Sequence, residues 1–177
     1  MRFLCVASAA HFFILGDNMS TAFLCGFIDE DYFNHYDITR FIEIVKSIIE
    51  ENKIDKIYHC RRTYFDIKFC EIISFLRFDD IEIIELRDIY KNDFEYRYKQ
   101  LKNAFRVYCP FKEEIDNSVL YKTLYDWAIE NSDILITYSK FDDDISKQII
   151  ERAKEKEKQV FNIADMAREF LHLYNFC

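Results

Sequence analysis

His59-Cys60-Arg61-Arg62-Thr63 joins an apolar run to the start of an amphipathic one. Its residue types suit an anion. An arginine guanidinium grips a phosphate or carboxylate through two parallel N–H bonds, with no need of a glycine loop. A helix starting after Thr63 would add a modest attraction through its N-terminal dipole. The plainer alternative is that Arg61 and Arg62 are solvated loop charges, because surface arginines are common. His59 could serve as an acid or base near neutral pH, although a partly buried, hydrogen-bonded histidine is the commoner outcome. Asp66 could orient a ligand hydroxyl or cap the adjacent helix, and its position favours capping.

Other chemistry-bearing groups are weaker. Asp29, Glu30 and Asp31 could hold a hard cation, but three acids after a strand are more simply a solvated loop. Trp127 with Tyr121 and Tyr125 could stack on a base. Trp127 also shares a helical face with Leu120 and Leu124, which favours core packing. The six cysteines are Cys5, Cys25, Cys60, Cys70, Cys109 and Cys177, with no C-x-x-C pair. Cys25, Cys60 and Cys109 lie in or beside apolar runs, where cysteine behaves as a small hydrophobe. We therefore expect no metal site and no disulfide framework, and a reducing cytoplasm as the setting. No Ser-His-Asp spacing stands out. No catalytic residue is assigned and no cofactor is expected.

The elements that must position these groups alternate strand and helix. Thr21 to Phe27 reads as a first strand. A helix capped at Asp37 follows, with Ile38, Phe41, Ile42, Val45, Ile48 and Ile49 on one face. Lys56 to Cys60 is a second strand, and Phe65, Phe69, Ile72, Ile73 and Leu76 form the face of a second helix. Ile81 to Leu86 is a third strand. The tyrosine-rich stretch from Asp93 to Asn103 reads as an exposed helix, and Phe105 to Pro110 as a fourth strand with its proline at the end. A helix over Asn117 to Glu130, a strand over Asp133 to Tyr138, a helix over Ser146 to Lys156, a strand over Gln159 to Ala164 and a closing helix complete the pattern. Such alternation implies an α/β fold: a Rossmann-like three-layer sandwich with a mostly parallel sheet of five or six strands.

The chain has 177 residues, enough for one domain with a sizeable core. We assign residues 19–177 to it, and residues 1–18 to an N-terminal extension, either an upstream segment or a signal-like run. The apolar part of that run is too short to span a bilayer, and no membrane association is expected. The net charge of -8 argues against general nucleic-acid binding, which requires phosphate neutralisation. Gly16 and Gly26 are the only glycines and Pro110 the only proline. Ordinary usage would give about a dozen glycines. Turns must therefore be short or built from Asp, Asn and Lys.

Four segments resemble the SLOG (SMF/DprA-LOG) superfamily, in particular its small stand-alone bacterial members. FLCGF resembles an opening strand that ends C/T-G-H-R. IYHCRRTYFD resembles a strand followed by G-G-x-G-x-F-D. WAIENSDILITY resembles W-x-V-D-x-S-D-x-L-I, and AKEKEKQVFNIA resembles A-x-x-x-G-K-x-V-x-x-I. The four run in the family's order over Ser20 to Ala164. The resemblance implies a Rossmann-like fold whose glycine loops hold nucleotides or nucleotide-derived ligands.

This chain keeps Gly26, Phe65 and Asp66 of those motifs and departs from most of the rest. Cys60, Arg61 and Thr63 stand at the glycines, Phe27 and Ile28 at the His-Arg pair, and Leu124 and Tyr125 at an Arg-Asn pair. Asp144 and Ile145 replace a Gly-Gly, while Ser146 stands at an expected threonine. Asp142, Asp143 and Asp144 would repel a phosphate there. The motif P-G-G-x-G-T-x-x-E of the LOG phosphoribohydrolases is absent. The expected function is thus a binding or sensing domain for a nucleotide-like anionic ligand, touching Gly26, His59, Arg61, Arg62, Thr63, Asp66 and Ser146. The alternative is a non-catalytic interaction domain, with a homo-oligomer or protein partner. A hydrolase acting on a nucleotide derivative comes third.

Overall fold

The computed structural model describes residues 19–26, 35–60, 63–87, 105–139 and 144–166, with the backbone alone at 35–37, 105 and 144. The elements run β1 (Ser20–Leu24), α1 (His35–Glu51), β2 (Ile54–His59), α2 (Tyr64–Phe75), β3 (Glu82–Leu86), β4 (Phe105–Tyr108), α3 (Asn117–Glu130), β5 (Ile134–Thr137), α4 (Asp144–Glu155) and β6 (Gln159–Asn162). A helical turn follows at 163–166. The strands form one six-stranded sheet in the order β4-β3-β2-β1-β5-β6. Every pairing is parallel. This is the α/β sandwich that the alternation predicts.

Side-chain alternation along the strands divides the core in two. Ala22, Leu24, Ile57, Ile83 and Ile136 face α1 and α2, together with Ile163. Phe23, Cys25, Ile84, Leu86 and Leu135 face α3 and α4, with Tyr58 and Cys60 packed alongside. The chain therefore winds from β1 to β3 over one face and from β4 to β6 over the other. A uniform right-handed crossover requires that arrangement when the strand order reverses. β5 carries four consecutive buried residues because both its faces are covered.

Several boundaries differ from the sequence reading for local reasons. α1 begins at His35, so Asp37 lies inside its first turn instead of capping it. β2 starts at Ile54 because a register irregularity between Ser20 and Thr21 lets Ser20 pair with Ile54 and Thr21 with Lys56. β6 stops at Asn162, whose side chain accepts from the N–H of Ala164 and turns the chain into 163–166. Pro110 falls beyond β4, as a residue without an N–H should. The Asp93 to Asn103 stretch and most of the closing helix lie outside the described residues.

Scarcity of glycine shows at the helix ends. Lys53, Arg77 and Glu157 adopt positive φ of 50, 58 and 57°. After α2, the N–H of Phe78 donates to Ile73 O and that of Arg77 to Ser74 O. After α4, Lys158 N–H donates to Ala153 O and Glu157 N–H to Lys154 O. These are Schellman motifs, in which the left-handed position is ordinarily glycine. Here arginine and glutamate hold it. The run Lys154 to Lys158 is the solvated helix end that its charges predict, and Lys156 Nζ reaches Glu130 Oε1 at 2.9 Å.

Candidate functional site

Strand order reverses between β1 and β5. The connections leaving their carboxyl ends diverge to opposite faces of the sheet, which opens a crevice there. On the α1/α2 face, a row of paired residues crosses this edge. Ile136 pairs with Leu24, Leu24 with His59, and His59 with Glu85. His59 and Glu85 are each 2% exposed, an unusual burial for ionisable groups. Glu85 Oε1 accepts from Arg87 Nε, two residues beyond on the same strand exit. The carboxylate thus has a charge-assisted partner, without which burial would cost it dearly.

The N-terminus of α2 overhangs this row. Thr63 is the N-cap, in an extended conformation (φ -122°, ψ 158°) open to any residue. Its Oγ1 accepts from the N–H of Asp66 at 3.3 Å and donates to Asp66 Oδ1 at 2.9 Å. Thr63 and Asp66 form a reciprocal cap of the T-x-x-D type. The cap residue is Thr63 and not Asp66, whose carboxylate is held by the cap's hydroxyl. Asp66 is buried, and the Thr63 hydroxyl is one reason its carboxylate tolerates that position.

Gly26 lies two residues beyond β1, where space is shortest. A Cβ on it would lie 2.6 Å from Phe65 Cδ1 and 2.7 Å from the Tyr138 backbone N. Phe65 also packs edge-on to Phe41 at 5.9 Å, tilts against Phe69 at 5.9 Å, and lies 6.2 Å from the ring of Tyr138. The room that Gly26 leaves is filled by the protein's own side chain. Of the expected site residues, Gly26, Thr63 and Asp66 lie at the first turn of α2, and His59 ends β2 four residues before Thr63. Ser146 is buried on the sheet-facing stripe of α4 with Ile149 and Ala153, across the sheet from them. Arg61 and Arg62 lie outside the described residues, as do Phe27, Ile28, Asp29 to Asp31, Asp142 and Asp143.

Two features of this edge escaped the sequence reading. The Glu85–Arg87 pair sits within an apolar run, where nothing local marks a buried glutamate. Asn162, opposite Thr137 on β6, holds the exit of β5: its Oδ1 accepts from Ser139 N–H at 3.0 Å and its Nδ2 donates to Ser139 O at 3.1 Å. An amide that imitates a strand partner is recognisable only once β5 and β6 are known to be neighbours.

Trp127 lies in the core layer, with ring centroids 5.3 Å from Tyr58 and 5.4 Å from Tyr108. It is not stacked with Tyr121 and Tyr125. Those two line a groove of about 730 Å³ between α3 and α4, with Ile129, Ile149, Gln148 and Arg152. Charged pairs tie its sides. Glu155 and Asp126 hold the Arg152 guanidinium above its ordinary pKa, and Lys156 holds the Glu130 carboxyl below the usual range.

Among the described residues, no group of three His, Cys, Asp or Glu side chains could hold a metal ion. Among them, too, no helix is long and apolar enough to cross a membrane. Compared with known proteins, the chain matches no protein-family model and no curated sequence.

Proposed function

We propose that this chain is a degenerate member of the SLOG superfamily that binds or senses a nucleotide-like anion at the carboxyl edge of β1 and β2, with side chains in place of glycine loops. The observation that carries this reading is the strand order, because ligands of open parallel sheets sit where that order reverses. His59 to Thr63 leaves the strand next to the reversal, and the capped N-terminus of α2 opens on the same edge, which suits an anion. In this reading Arg61 and Arg62 supply the charge and His59 with Glu85 forms the buried floor.

Two conformational details support the family resemblance. In the pattern A-x-x-x-G-K-x-V the glycine falls on Glu157, whose φ of 57° is the conformation glycine serves. Of the retained motif residues, Gly26 and Phe65 lie in contact, and Asp66 follows Phe65 in the first turn of α2. What is kept is packing, and what is lost is the phosphate cradle. The interaction-domain reading has its own support. Val107 and Tyr108 are 48% and 46% exposed on the edge strand β4, an apolar edge of the kind that pairs with another chain.

Native mass spectrometry of the purified protein reads co-purified nucleotide and oligomeric state together. Calorimetric titration with ADP-ribose and cyclic nucleotides then compares wild type with Arg61→Ala/Arg62→Ala. Loss of a charge-assisted bidentate contact should weaken binding about ten- to a hundredfold. Equal affinities would place the site elsewhere. A wild type that binds none of these and runs as a dimer would favour the interaction domain.

A further inference from the structure

On the other face of the same edge stand two cysteines. Leu24 of β1 and His59 of β2 are the last paired residues of their ladder. Cys25 and Cys60 follow them directly, so the two leave the sheet side by side. Alternation turns both side chains to the α3/α4 face: Cys25 belongs to that core cluster and Cys60 packs against it. The position of Cys25 is held from the far side, where its N–H donates to Ile136 O at 3.1 Å. Neither cysteine is in a disulfide. Neighbouring strands lie about 4.8 Å apart, inside the range of roughly 4.4 to 6.8 Å between Cα atoms that a disulfide spans. Cys70 lies on α2 against the opposite face, and Cys109 follows β4, with β3 between it and Cys60. Cys25 and Cys60 are therefore the one adjacent pair among the described cysteines.

We propose that Cys25 and Cys60 form a reversible peroxide-driven disulfide that ties the exits of β1 and β2 together. The two thiols have different roles. Cys25 is 2% exposed, whereas Cys60 is half-buried and so the more accessible of the two. Cys60 is also followed by Arg61 and Arg62 and stands just ahead of the α2 N-cap, Thr63. The thiolate form of such an accessible cysteine is the nucleophile. The Cys60 thiolate attacks one oxygen of hydrogen peroxide, and the O–O bond breaks. Cys60 becomes a sulfenic acid, and the departing hydroxide takes the thiol's proton to become water. The Cys25 sulfur then attacks the Cys60 sulfur. The S–S bond forms, the S–O bond breaks, and hydroxide with the Cys25 proton leaves as a second water. Two thiols have given two electrons to one peroxide. The in-register spacing of Cβ atoms on parallel strands is wider than a relaxed disulfide prefers, so the bond should reduce readily.

The test uses the full chain. After one equivalent of hydrogen peroxide, non-reducing proteolysis and mass spectrometry should find the Cys25 and Cys60 peptides joined, and dithiothreitol should separate them. Cys60→Ser should abolish the linkage. Cys25→Ser should stop at a Cys60 sulfenic acid that dimedone traps. Because Cys25 is buried and its variant could unfold, phenylarsine oxide provides a second measurement: it bridges neighbouring thiols and should bind both peptides in untreated wild type but not in Cys60→Ser. A Cys60 linked to another cysteine or to a second chain would overturn the proposal. So would a Cys25 that remains a thiol while Cys60 is oxidised. None of these readouts depends on nucleotide binding.

Discussion

Gly26 is held by sterics on two sides, and only one of them can yield. The Phe65 ring could rotate away from an added methyl group, but the Tyr138 backbone N, at 2.7 Å, belongs to the exit of β5. Gly26→Ala should therefore lower stability by about 1 to 3 kcal/mol, the usual range for overpacking a filled core. Adding Phe65→Leu should recover only part of the loss, because the backbone contact remains. Urea denaturation of the two variants checks this, and a full recovery would show that the ring alone sets the constraint. The residues around Gly26 were partly legible in the sequence. T-x-x-D ahead of an apolar run is a helix-start pattern, and Thr63 with Asp66 obeys it. The burial of Glu85 was not legible, since it depends on His59 of the next strand and on Arg87 turning back toward it.

At the scale of elements, the positions that lack glycine carry strain. A left-handed residue with a side chain costs roughly 1 to 2 kcal/mol, part of which returns as a stiffer unfolded chain. Glu157→Gly should thus stabilise the protein by about 0.5 to 1 kcal/mol, raising the melting temperature by about 1 to 4 °C in a chain of this length. Arg77→Gly should behave alike, and Lys156→Gly, one residue from the strained position, should not. A lower melting temperature for Glu157→Gly would mean that its side chain has packing worth more than the relief. Helical periodicity placed α3 at about Asn117 to Glu130, and the structure agrees, with Asp116 capping it from outside the apolar pattern. Strand ends were less legible. The bulge that begins β2 at Ile54 and the amide that ends β6 at Asn162 are both decided by a neighbouring strand.

For the whole molecule, alternation predicts a parallel sheet but leaves the order of its strands open. Pairs far apart in sequence settle it. Thr21 N–H donates to Asp133 Oδ2 at 2.9 Å and Asp133 N–H to Thr21 O at 2.8 Å, joining the starts of β1 and β5. In the resulting order, β1 to β4 stand on one side of the reversal and β5 with β6 on the other. The sheet is thus made of two contiguous lengths of chain that meet along one seam, β1 against β5, with α3 lying across it onto Phe23 and Tyr58. A single covalent crossing, from Cys109 to Asp116, links the two lengths, and Glu113 and Glu114 are exposed within it. The fold therefore has a natural line of fragment complementation. Residues 1–113 and 114–177, produced together as separate polypeptides, should copurify and melt in one transition. Pieces that fail to associate would mean that the peptide link, and not the buried seam, holds the halves in place.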